Sequence, residues 1–277
     1  MYEGRLDGPL RAPALLVAFD GWVSAGAAGT TTLDHIAGDT EPAILFDSDR
    51  LYDYRVNRPT LDFVDGIMRH LVWPGAAIRI VRTDERDLLL LSGAEPNWGW
   101  RAFSEAAAEI AVEAGVVQHV SLGGIPWAAP HTRPTVVVTT ASRPDLVSHG
   151  PNFPEGLLRV PASAVSVVER AVSERGIPTV AFWARVPHYV AGIYYPAVVD
   201  LVERVSRHLG IGVALGPLVD AAAEQRRQLD TAVNEQPTVA TMVEQMEKMF
   251  DASDSAPSGE ELAAEIERYL RERSGDD

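Results

Sequence analysis

The chain has 277 residues, 46% hydrophobic and 23% charged, with no cysteine and a formal net charge of −15. Such a length and composition suit a globular core able to hold itself together, and the missing thiols exclude disulfides, thiolate zinc sites and a cysteine nucleophile. A surface this acidic repels both nucleic-acid phosphates and the anionic inner leaflet of a membrane, so neither is an expected partner.

The charge is unevenly spread. Residues 217–277 hold 15 acidic and 6 basic side chains, a net of −9. This is read either as solvated helix faces or as an acidic arm that meets a basic partner. Lys248 is the only lysine, so a Schiff-base or phosphate-binding lysine elsewhere is excluded. Met1 to Arg11 has no hydrophobic signal core. No apolar run approaches the ~20 residues of a membrane span, and the expected location is the cytoplasm.

In chain order, Ala14 to Asp20 is an apolar run without helical period, read as a buried strand. Gly21 to Gly29 turns it into a helix ending near Ile36. Ala43 to Phe46 is a short strand. Leu61 to Leu71 reads as a hairpin, because Asp65-Gly66 suits a type I′ turn with positive φ. Ala77 to Arg82 and Leu88 to Leu91 are strands, and Trp100 to Ala114 is a helix stopped by Gly115. Val116 to Leu122 is a strand, followed by a loop from Gly123 to Pro134. Thr135 to Thr140 is a strand, Pro161 to Arg175 a helix, Thr179 to Val186 a strand and Pro196 to Leu209 a helix.

This alternation predicts an α/β fold: three αβα layers around a sheet made mixed by the hairpin and the helix-free loop. Residues 1–216 form the expected core domain. Residues 217–277 form a helical lid or arm, with helices at 217–233, 237–250 and 260–273 and a linker at 251–259. Val239, Met242, Val243, Met246, Met249 and Phe250 make one apolar stripe at helical spacing, suited to core packing or to an adaptable lid.

Ligands of open α/β sheets bind beyond the carboxyl ends of the strands, and the unusual residues here follow strands. They are Asp20, Gly21 and Trp22; Glu95, Trp98, Trp100 and Arg101; Gly123, Gly124 and Trp127; Arg143; and His188 with Tyr189. His131, Thr132 and Arg133 precede a strand. If the loop joins antiparallel neighbours, both its ends share one rim and these residues face Gly21, Glu95 and Gly124 across a cleft.

Arginines and glycine amides can hold an anion, aromatic walls can stack on a ring, and Glu95 or His131 can move protons. The set suits a small anionic or nucleoside-like ligand. Each part also has a plain reading: glycines as tight turns, Trp22 and Trp100 as core, Arg101 as an ion-pair scaffold, His131 as a loop cap. No phosphate loop, G-x-G-x-x-G or H-E-x-x-H occurs, and the seven histidines suggest no metal site. Ser24 lacks the G-x-S-x-G setting of a hydrolase nucleophile and reads as a helix N-cap. No cofactor is expected.

Four segments in order, AFDGWVSAG (18–26), LLSGAEPNWGWRAF (90–103), LGGIPWAAPHTRP (122–134) and VPHYVAG (186–192), resemble the PAC2 family and within it the actinobacterial branch. The family is named for a eukaryotic proteasome assembly chaperone. The resemblance covers roughly residues 12–210 and the helical tail. It implies a phosphorylase/hydrolase-like core, a homotrimer, a hairpin used in oligomerisation and a C-terminal helical lid.

Two positions depart from the pattern. Ser24 stands where many relatives carry an acid, and the terminal Gly275-Asp276-Asp277 lacks the hydrophobic-Tyr-any ending of proteasome-docking chaperones. Two functions stay open: a non-catalytic binding or assembly protein with a pocket and proteasome-related partners, or an enzyme using Glu95 or His131 on a small anionic substrate held by Arg101 and Arg133.

Overall fold

The computed structural model describes residues 1–6, 8–147 and 156–254. In chain order the elements are β1 (Tyr2–Gly4), β2 (Ala14–Asp20), α1 (Ala28–Ala37), β3 (Pro42–Phe46), α2 (Ser48–Leu51), β4 (Thr60–Val64), β5 (Ile67–Val72), β6 (Ala76–Arg82) and β7 (Asp87–Ala94). There follow α3 (Trp100–Glu113), β8 (Gln118–Trp127), β9 (Val137–Ala141), α4 (Ala164–Glu174), β10 (Thr179–Pro187), α5 (Tyr195–Leu209), α6 (Pro217–Asn234) and α7 (Pro237–Asp254).

Eight strands form one mixed sheet in the order β1-β3-β6-β7-β2-β8-β10-β9. β7, β2, β8 and β10 run parallel, whereas β6 and β9 run against their neighbours. The apolar residues of β2 alternate between two cores. Leu15, Val17 and Phe19 pack with α3 and α4; Ala14, Leu16 and Ala18 pack with α1 and α5. A strand covered on both faces is apolar at every position, which is why ALLVAF shows no period of its own. Helices on both faces make three layers, and α6 and α7 continue from α5 as a helical appendage.

Three readings need correction. The β4–β5 hairpin forms, with Asp65 at φ 52° and Gly66 at φ 76°, but it is a separate two-stranded sheet and contributes nothing to the mixed character of the main one. Gly123 to Trp127 is strand, not loop, because it continues the parallel pairing with Trp183–Pro187 of β10. Strands β8 and β9 are not neighbours: β10 lies between them. They still run in opposite directions, so the loop joining them returns to the rim it left. β1 and α2 were not anticipated, and Asp251–Asp254 extends α7 instead of opening a linker. The helix expected at 260–273 lies outside the described residues.

Between β8, β10 and α4 the core holds a polar chain. His119 Nε2 lies 2.8 Å from the Ser121 hydroxyl, and the hydroxyls of Ser121 and Thr179 bond to the Glu169 carboxyl. Burial pushes Glu169 up to about 7, although the two hydroxyls favour its ionised form. Burial also pushes the His119 imidazole down to about 3. Both shifts keep an uncompensated charge out of the core.

Candidate functional site

The carboxyl ends of β2, β7, β8 and β10 make one rim, and the sequence candidates divide there into two assemblies. The first is built on Glu95. β2 and β7 pair with Asp20 opposite Ala94, so the loops leaving them start side by side. The Glu95 amide donates to the Asp20 carbonyl at 2.9 Å. The Glu95 carboxylate accepts from the amides of Trp22 and Ala164, both at 2.7 Å. Ala164 is the first residue of α4, so the anion meets a helix N-terminus and satisfies donors that the helix cannot.

Glycines let these segments approach. A Cβ on Gly21 would run into the Glu95 side chain, and one on Gly124 would strike the Ala25 carbonyl oxygen. One on Gly123 would meet the Trp183 ring and the Val23 carbonyl. The Gly124 amide donates to the Val23 carbonyl at 2.8 Å, so it is occupied inside the protein. Ser24 does not cap α1. Its hydroxyl donates to the Gly21 carbonyl at 2.7 Å, and the helix starts after Ala27, at φ 44°. Trp22 is not core; it is 65% exposed.

The second assembly joins the 130–133 loop to the appended helices. His131 is 1% exposed. The Tyr189 hydroxyl accepts from the His131 amide at 2.8 Å and lies 2.7 Å from Nδ1, while Nε2 lies 3.1 Å from Asp230 Oδ1 on α6. One neutral tautomer satisfies every partner: Tyr189 O–H donates to Nδ1, and Nε2–H donates to Asp230. Burial pushes the Tyr189 hydroxyl above its ordinary range, opposed by the His131 amide.

Thr132 donates its hydroxyl to Glu247 on α7. Arg133 grips Asp251 with two parallel bonds, at 2.8 and 2.7 Å, and reaches Glu247 at 3.3 Å. The bond to Asp251 raises the guanidinium's affinity for its proton, and the same bond holds Asp251 below the usual carboxylate range. Beneath these pairs Val233, Val243 and Met246 are buried against Tyr189, Val239 and Met242, so the methionine stripe is largely packing. Its end, Met249 and Phe250, lines a cavity of about 310 Å³ with Trp127 and Arg185. The Arg185 guanidinium lies 4.2 Å from the Trp127 ring centre.

The remaining candidates stand apart. Arg101 is exposed on the first turn of α3, in the layer opposite α5. His188 is exposed, its amide bonded to the Trp127 carbonyl at 3.0 Å. Arg143 leaves β9 at the opposite rim, since β9 is antiparallel, and pairs with Asp145 at 2.9 Å.

Two features escaped the sequence reading. A groove of about 760 Å³ runs from Asp20 past Asp34, Ser48, Trp73 and Arg79; Arg79 Nη1 donates to Ser92 Oγ at 3.1 Å. The outward position of Arg79 between Ile78 and Ile80 was its only signal. The acids that receive the 130–133 loop were legible only as bulk charge. Beside the groove stands the hairpin, with Phe63 60% and Met68 63% exposed and Leu61, Val64, Ile67 and Leu71 also in solvent. Among the described residues no three His, Asp or Glu side chains converge to hold a metal ion, and no helix is long and apolar enough to cross a membrane.

The PAC2 family model matches residues 18–233. The chain belongs to the PAC2 family. A Mycobacterium tuberculosis protein of unknown function shares 32% identity with a TM-score of 0.85, over 92% of either chain. A proteasome-assembly chaperone homologue from the same organism shares 33% identity with a TM-score of 0.76, over 83% of this chain and 99% of its own. An archaeal proteasome activator from Pyrococcus furiosus, at 13% identity and a TM-score of 0.65, covers 84% of this chain and 98% of its own and shares the fold alone. A search of curated proteins found no match. The two assemblies at the rim are thus set in a PAC2 sheet.

Proposed function

We propose that this PAC2 protein is a non-catalytic, chaperone-like assembly factor of the cytoplasm that works as a homo-oligomer, a trimer, on proteasome-related partners. The observation that carries this reading is the contrast between committed chemistry and uncommitted surface. The Glu95 carboxylate is occupied by two amides, His131 by Tyr189 and Asp230, and Arg133 by Asp251 and Glu247. The hairpin meanwhile leaves its apolar side chains in solvent on both faces, and an apolar projection of that kind favours a protein partner. The 33%-identical relative, a proteasome-assembly chaperone homologue, supports the partner class.

In this reading β4–β5 joins the copies and residues 217–277 act as a lid over the core domain of residues 1–216. Chemical crosslinking followed by pulldown tests the partner: 20S subunits recovered with the protein support the reading, and their clean absence overturns the proteasome part of it. Sedimentation of F63E/M68E tests the hairpin: the assembly is expected to fall to monomer, and an unchanged mass removes the hairpin from the interface.

The hydrogen-bonded line Tyr189–His131–Asp230 favours a second reading, an enzyme of phosphorylase/hydrolase type for a small anionic or nucleoside-like substrate. It requires α6 and α7 to swing away and free His131 and Arg133. A thermal-shift screen of nucleosides, sugar phosphates and phosphate separates the two. A shift lost in Arg133→Ala supports the enzyme, and no shift supports the assembly factor.

A further inference from the structure

At the opposite rim from both assemblies, a cavity of about 300 Å³ is lined by Thr139 and Phe182 of the sheet, by Asp145, and by Arg204, Arg207 and His208 of α5. The Arg204 guanidinium sits 5.7 Å from the Phe182 ring centre, and His208 packs edge-on to the same ring at 5.3 Å. His208 Nε2 lies 2.6 Å from the Gln118 amide nitrogen. Asp145 is engaged by Arg143 at 2.9 Å.

In a chain of net charge −15, this corner concentrates positive charge. Among the described residues Arg204 and Arg207 have no ion pair, whereas Arg133, Arg170, Arg175 and Arg227 all have one. A third arginine, Arg86 of the β6–β7 turn, acts on His208 from outside the cavity lining. Its Nη1 is buried with no hydrogen-bond partner among the described residues. Burial, then Arg86, then Arg204 push the His208 imidazole below its ordinary value, and no carboxylate contributes in the other direction. Basic groups in the last turn of a helix complement its dipole, which accounts for Arg207 and His208. It does not account for Arg204, a turn earlier.

We propose that this cavity binds a small oxyanion, a phosphate or the phosphoryl group of a small metabolite, with Arg204 and Arg207 as its charge partners, His208 beside it and Phe182 as its apolar wall. The one carboxylate in the lining, Asp145, is held by Arg143, so an anion there would meet Arg204 and Arg207 through charge-assisted bonds to planar guanidinium groups. The site is independent of the assembly reading above, because it shares no residue with the hairpin, the 130–133 loop or the appended helices.

The test is a titration of the full chain with inorganic phosphate at constant ionic strength, followed by the imidazole resonances of His208, which are assigned by their loss in His208→Gln. Saturable movement of these resonances is expected, with the His208 titration midpoint moving upward as the anion arrives. In R204Q/R207Q the affinity should fall at least about tenfold for each guanidinium lost, with an unchanged circular dichroism spectrum. Arg207→Gln alone, on an exposed side chain, carries the same test should the double variant fail to fold. A parallel titration with glycerol 3-phosphate distinguishes the sources: tighter binding than phosphate indicates a phosphorylated metabolite, and equal or weaker binding indicates the free ion. No saturable response to either compound, or equal saturation in the arginine variants, overturns the proposal.

Discussion

The two assemblies at the carboxyl rim use similar residue types in opposite ways. On the α3–α4 side, Glu95 spends its charge on backbone amides inside the core domain. On the α5–α6 side, His131, Thr132 and Arg133 spend theirs on carboxylates of the appended helices. In the first case one donor is the amide of an exposed loop and the other the amide of a buried helix end, so removing the acid leaves at least the Ala164 amide without an acceptor. In the second the partners are partly exposed side chains that water can serve instead. The first assembly therefore belongs to folding, and the second to the position of α6 and α7.

The largest effect should come from breaking the first assembly. Glu95→Ala strips two amides of a charged acceptor and should cost about 3 kcal/mol in urea unfolding, with Glu95→Gln recovering part of it. A loss below about 0.5 kcal/mol would mean that the node is ornamental. Gly124→Ala should cost about as much, because the added methyl group meets the backbone oxygen of Ala25. An unchanged midpoint would show that the 23–25 segment can move away.

A second experiment sharpens the comparison through pH. Glu169 is raised from 4.5 to about 7, so its stabilising contribution is complete below pH 4.5 and is lost as pH rises through about 7. His119 is lowered from 6.5 to about 3, so its contribution is complete above pH 6.5 and is lost as pH falls through about 3. Between 4.5 and 6.5 the two slopes oppose each other. Glu169→Gln should uncover the His119 slope, a rise of about 1.4 kcal/mol per pH unit across that window. A flat profile in this variant refutes the shifted His119.

The smallest global effect is expected from the second assembly. Arg133→Ala should leave the unfolding midpoint of the core nearly unchanged, as loss of an exposed pair does, yet raise proteolysis and amide exchange in α7 severalfold. High salt should reproduce part of this in the native protein and none of the Glu95 effect. If Arg133→Ala instead unfolds the core cooperatively, the appended helices are integral to it and both assemblies belong to folding.

Much of this was legible along the chain. The strands, the Asp65-Gly66 hairpin and the amphipathic α3 and α5 follow from local pattern, since burial on one face or two imposes its own period. Four ordered segments marked the family. The exceptions are instructive. Gly123 to Trp127 looked like a loop because its glycines and proline suit turns, but pairing with β10 overrode that preference. Asp251 looked like the start of a linker, although its carboxylate is held by Arg133, 118 positions away in the chain.

The sequence by itself determined the class of fold, the order of its elements and the residue types gathered at the strand ends, because these depend on the periodicity and chemistry of neighbours in the chain. Only the tertiary structure decided what those residues face. Glu95 and His131 are both proton-active groups after strands, and nothing local distinguishes one from the other. One is closed off by Trp22 and Ala164 and the other by Tyr189 and Asp230, because a side chain's partners are chosen by how layers pack, and packing brings together groups whose separation in sequence carries no signal.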